Sequence, residues 1–108
     1  MAIRLPAPIT KYIAAENGSD LDLLEQCFSA DAVVRDEGRS IVGVAAIKRW
    51  KAETKAKYRH SVEPLACVEE NGRAVVSSRL TGNFPGSPIT LQFVFGLRDD
   101  KIISLEIG

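Results

Sequence analysis

The chain has one histidine, His60, and two cysteines, Cys27 and Cys67, in 108 residues. So few soft ligands exclude a His-rich zinc or iron site, and cysteines this far apart without a CxxC spacing give no metal motif. Carboxylates alone could still hold a hard cation. The two thiols are expected to be buried, reduced and packed as small apolar side chains. No charge excess is present either, since 14 Lys and Arg face 14 Asp and Glu. A dedicated nucleic-acid binder draws its affinity from a basic surplus, so that class is excluded. No apolar run nears the ~20 residues of a membrane span, and Met1 to Pro8 carries no apolar stretch of signal-peptide length. The expectation is a cytoplasmic protein with no membrane partner. Also missing are a GxGxxG after a strand, a P-loop, a GxSxG and an HExxH. Nicotinamide, nucleotide, serine-hydrolase and zincin chemistry go with them, and no cofactor is implied.

What is present reads as one globular domain over 1–108, with 45% apolar and 26% charged residues. Ile9, Tyr12, Ile13 and Glu16 recur at helical spacing after Pro8, and Asn17-Gly18 supplies a stop, predicting a helix over 8–17. Ser19 and Asp20 are N-cap types before Leu21, Leu24, Cys27 and Phe28, predicting a second helix over 20–29. Residues 32–37 and 40–42 form a short hairpin around Gly38. Val44, Ile47, Trp50, Thr54 and Tyr58 stripe a third helix that ends near Tyr58. Its other sides hold Lys48, Arg49, Lys51, Lys55, Lys57 and Arg59 against Glu53. They form either a solvated face balanced elsewhere or a surface for an anionic ligand or partner; Lys51 is expected among the exposed charges.

Extended stretches then follow over 60–70, 73–84, 89–98 and 101–107, separated by Asn71-Gly72, Pro85-Gly86-Ser87-Pro88 and Asp99-Asp100. The fold class is α+β, in the order α-α-β-β-α-β-β-β-β, with a mainly antiparallel sheet. Ile89, Leu91, Phe93, Phe95 and Leu97 share one parity, yet Val94 and Ile102 put apolar groups on the other. A sheet with one wet face alternates more cleanly, so a covered second face, and with it a homodimer, is expected.

Six residues stand out as site candidates. Asp36 shares the parity of Ala32 and Val34. It is either a carboxylate among apolar neighbours, raised toward a general base's range, or a turn residue binding amides. Tyr12 is a core residue or a hydrogen-bond donor, and Trp50 a pocket wall or plain core. His60 starts a strand or titrates in a site. Phe84 precedes a loop suited to a cavity rim. Arg79, if it points inward, needs Glu63 or Glu106.

The order of elements, with "FSADAVVRDEG" at 28–38, "GVAAIKRW" at 43–50 and "GNFPGSP" at 82–88, resembles the SnoaL-like branch of the nuclear transport factor 2-like superfamily. The resemblance implies a cone-shaped curved antiparallel sheet wrapped around the three helices of the N-terminal half, a pocket at its open end, and pairing through the outer sheet face. The stretch "KYIAAENGSDLDLLEQCFSADAVVRD" is similar to the start of ketosteroid isomerases. That likeness places Tyr12 at the oxyanion-donating tyrosine and Asp36 at the proton-shuttling aspartate. Gln92, in "TLQFVFG", is nearest to the second donor, an acid in the isomerases. The implied ligand is a small apolar or weakly polar molecule. Three functions stay open: a proton-transfer enzyme acting on a carbonyl compound, a binding module, and a dimeric interaction domain.

Overall fold

The computed structural model describes residues 4–108 apart from positions 19 and 37, and the side chain of Tyr58 is also outside the described set. The expected Ser19 cap, the Glu37 end of the first strand and the Tyr58 end of the third-helix stripe lie outside the described residues. The elements run α1 (Ala7–Asn17), α2 (Leu23–Cys27), β1 (Phe28–Asp36), β2 (Arg39–Val42), α3 (Val44–Tyr58), β3 (Ser61–Glu70), β4 (Arg73–Thr81), β5 (Ile89–Arg98) and β6 (Lys101–Ile107). This is the predicted order. The sheet is curved and unclosed, ordered β2-β1-β6-β5-β4-β3, and antiparallel except where β1 lies parallel to β6.

α2 is shorter than the periodicity predicts. Residues 20–22 form a turn in which the Asp22 amide donates to the Asp20 carboxylate at 3.1 Å, so the helix starts later. Phe28 continues the helical stripe yet belongs to β1, because its ring is drawn inward against Tyr12, 5.8 Å between centroids. β4 ends at Thr81 and not at Phe84, leaving Gly82 to Pro88 as a loop in which the Gly82 amide donates to the Ser87 hydroxyl. Asn71 and Gly72 have φ of 52° and 77°, and Asp99 and Asp100 of 52° and 61°. Two consecutive positive φ values make the two-residue turns whose twist suits a hairpin.

The core fills the concave face. Tyr12 meets Phe93 and Phe95 edge-on at 6.3 and 5.4 Å, and Ile9, Leu24, Ile47, Val34 and Val76 are fully buried around them. Part of the mixed parity in β6 has a local origin: Gly96 pairs with Ser104 but Leu97 with Ile102, so Ile103 is an extra residue. This bulge turns both Ile102 and Leu105 inward. The outer face still carries an apolar row, Val68, Val75 and Val94, side by side in register, with Val68 62% exposed. Arg79 lies on that face and pairs with Glu63 at 3.4 Å, both half-exposed or more. Cys27 is buried, and burial pushes its thiol up to about 11. Cys67 is only half-buried, contrary to expectation, because its β3 strand is a sheet edge. Among the described residues no helix is long and apolar enough to cross a membrane, and no group of three His, Cys, Asp or Glu could hold a metal.

Candidate functional site

A cavity of about 410 Å³ opens between α1, α3 and the concave sheet. Its walls are mainly apolar, formed by Trp50 of α3, Leu91 and Phe93 of β5, and Leu80, Phe84, Pro85 and Ile89. The polar part of the lining is Glu16, Asp36, Lys51, Thr54 and His60. An apolar chamber with a few converging polar groups is the usual form of a small-molecule site.

The polar part is built around Glu16. This carboxylate is the last residue of the α1 stripe, 1% exposed, and both its oxygens accept from Lys51 Nζ at 2.7 Å. His60 Nε2 meets the same Oε1. Burial alone would raise the Glu16 carboxyl, but the Lys51 charge and the hydrogen bonds from His60 and Lys51 hold it at about 2. Burial draws Lys51 below the ordinary amine range against the opposing pull of Glu16 and Asp36. Its ammonium stands 4.1 Å from the Trp50 ring centroid and 5.4 Å from that of Tyr12. In this setting the cation–π contact is worth about 2 kcal/mol.

The backbone around this cluster is fastened from three elements. Lys55 Nζ donates to the Glu16 carbonyl at 2.8 Å and to Gly18 O, capping the end of α1 from α3. Asn17 exchanges two hydrogen bonds with the Val62 backbone, 2.6 and 2.8 Å, tying α1 to the start of β3. Arg59 turns the chain in a left-handed conformation, φ 47°, between α3 and β3. These ties set His60 beside Glu16.

Asp36, Trp50, His60 and Phe84 thus line one cavity. Tyr12 does not line it: the ring is sealed in the core and 0% exposed. Its hydroxyl has no hydrogen bond of good geometry among the described residues. Burial, then the Glu16 and Asp36 charges, push it well above the usual phenol range, so it stays protonated. Gln92 is a correction. It shares the outward parity of Val94, its side chain is exposed, and its backbone pairs with Gly108; the cavity-facing neighbours are Leu91 and Phe93. A second correction concerns Lys51, which is 2% exposed and not on a solvated face. Of the basic run on α3, Lys48 does meet surface acids, Asp22 at 2.8 Å and Glu25 at 3.1 Å on α2.

Sequence reading missed Glu16 and Lys51 as site residues, although a signal existed. Glu16 lies three and four residues after Ile13 and Tyr12, on the buried stripe, and Lys51 four after Ile47 and three before Thr54. Opposite charges on two apolar helical stripes are a cue for a buried pair.

A cone of this topology holding a walled cavity is the architecture the resemblance implied. The chain belongs to the SnoaL-like family, whose domain matches residues 9–105. A protein from Sinorhizobium meliloti, provisionally named a polyketide cyclase, is 39% identical with a TM-score of 0.93, covering 96% of this chain and 95% of its own. A protein of ketosteroid isomerase-like fold from Catenulispora acidiphila, solved with trimethylamine, is 22% identical, TM-score 0.85, over 97% and 86% of the two chains. A provisionally named isomerase of the SnoaL-like family from Agrobacterium tumefaciens is 18% identical, TM-score 0.74, over 93% and 92%. Among curated proteins none matches the chain.

Proposed function

We propose that this protein is a cofactor-free enzyme of the isomerase or cyclase type, moving a proton on a small apolar carbonyl compound with Asp36 as general base. The observation that carries this reading is the Asp36 carboxylate on the wall of a largely apolar cavity that Glu16, Lys51 and His60 also line. A base needs a substrate carbon within reach and little competing water, and the apolar walls favour both. The strong likeness to the Sinorhizobium protein supports the same class of chemistry. Tyr12, sealed in the core, then acts by shaping the field around Glu16 and not by touching the ligand.

The test uses bicyclic aryl ketones, such as tetralones, in D₂O. Wild type should catalyse exchange of the α-protons, seen by NMR. Asp36→Asn should slow it about 100-fold or more, with ketone affinity little changed, because the two side chains are nearly isosteric. Ketones that bind without exchange would identify a binding module. Exchange equal in both proteins would remove Asp36 as the base.

The partner reading is a homodimer through the outer sheet face, supported by the row Val68, Val75 and Val94 with Val68 62% exposed. Sedimentation at micromolar concentration should give a dimer, and Val68→Glu should shift it to a monomer of 11.8 kDa. A wild-type monomer would end this reading.

A further inference from the structure

The proposed chemistry needs a donor for the carbonyl oxygen, and the groups first expected to serve are badly placed. Tyr12 is enclosed in the core and Gln92 faces outward. The Thr54 hydroxyl donates to the Lys51 carbonyl at 3.1 Å, and His60 Nε2 is engaged with Glu16. We infer that Lys51 is the oxyanion donor of this site, and that Glu16 is its positioning residue. This assignment rests on the proton-transfer reading of the cavity.

The geometry supports it in three ways. An ammonium carries three N–H groups, and the hydrogen bonds of Lys51 Nζ among the described residues go to the two oxygens of one carboxylate, each at 2.7 Å. One donor therefore remains, on a side chain that lines the cavity beside Trp50. Second, the clamp fixes the ammonium in place before a ligand arrives, so little reorganisation is needed when charge develops. Third, the charge balance is closed. As the α-C–H bond breaks, the proton passes to an Asp36 carboxylate oxygen. The electron pair forms the C=C bond of an enolate and the charge moves onto the former carbonyl oxygen. One negative charge is lost at Asp36 and one gained on the ligand, both within the field of the same ammonium, to which Asp36 is already coupled electrostatically. Reprotonation by Asp36 at the same α-carbon, or at the γ-carbon when the ligand carries a β,γ double bond, returns a neutral ketone. The ligand class that follows is an enolisable ketone with an apolar body, and its tight-binding mimic is a phenolate.

The probe is 4-nitrophenol, whose absorption reports whether it is bound ionised or neutral. The host is Asp36→Asn, whose neutral side chain imitates the base after it has taken the proton. This host should bind the ionised form. Adding Glu16→Gln and Lys51→Met together leaves the net charge unchanged and keeps an acceptor for His60, and it should weaken phenolate binding about 10- to 100-fold. Neutral 4-nitrophenol bound by the folded host, or equal phenolate affinity with and without the pair, would overturn the assignment. The spectrum of the bound probe needs only the host, so the test stands even if the triple variant does not fold. Ketone exchange lost in Asp36→Asn, together with phenolate binding indifferent to Lys51, would leave the enzyme reading standing and remove Lys51. Phenolate held by Lys51 without any ketone exchange would support the donor in a site that binds and does not turn over.

Discussion

Lys51→Met should destabilise the protein by about 3 to 5 kcal/mol, measured as a shift in the urea midpoint at unchanged m. The reason is desolvation and not the lost attraction. Glu16 is 1% and Lys51 2% exposed, so removing the ammonium leaves a buried carboxylate without its charge partner, with the His60 ring and the Tyr12 hydroxyl still beside it. Glu16→Gln should cost a similar amount, since it strands the cation. The double variant should recover most of the loss, because two neutral side chains of nearly the same volume need no compensation. The coupling in this double-mutant cycle should therefore be of order 3 kcal/mol, far above the 0.2 to about 1 kcal/mol of an exposed pair. The Lys48 pair with Asp22 and Glu25 is the internal control, being well exposed on its acidic side; Lys48→Met should leave the urea midpoint close to that of wild type. A Lys51→Met protein as stable as wild type would mean that water reaches the pair.

The contrast between Lys48 and Lys51 shows where the sequence was legible and where it was not. The order of elements, the Asn71-Gly72 hairpin and the inward parity of Asp36 follow from local patterns, each a property of a few adjacent residues. The family resemblance added the cone and its cavity. Phe28 was ambiguous because i+7 on a helix and an inward strand position ask for the same residue type. Ile103 was ambiguous because a bulge breaks the period of two that parity relies on. Gln92 was misplaced by carrying a donor across from the isomerases against the parity of its own strand, which sends Leu91 and Phe93 inward. Glu16 and Lys51 were hidden for another reason. A charged residue on an apolar stripe is stable only if its partner sits on the facing element, and that pairing joins residues on different helices, 35 positions apart in the chain. Charge counting along one helix placed Lys51 with its solvated neighbours.

Acid should unfold the protein through the same pair. Folding lowers the Glu16 carboxyl from its ordinary 4.5 to about 2. Between those limits the unfolded chain binds a proton that the folded chain refuses, so stability falls as pH drops. The contribution is fully present above about pH 4.5, is lost progressively toward pH 2, and amounts to about 3 kcal/mol. That is a large share of the 5 to about 15 kcal/mol that holds a small domain together. The cause is specific: protonating Glu16 leaves the Lys51 ammonium over Trp50 with a neutral partner, the same defect that Glu16→Gln creates at neutral pH. Urea unfolding followed across this range should show the wild type losing about 3 kcal/mol more than the Glu16→Gln/Lys51→Met double variant, in which neither group titrates. The difference reads Glu16 together with its couplings, because the His60 ring meets Glu16 and the Asp36 charge acts on Lys51. Parallel stability curves for the two proteins would show that Glu16 gains nothing from Lys51 and His60 on folding, and the cluster would then be a crowded contact and not an ion pair.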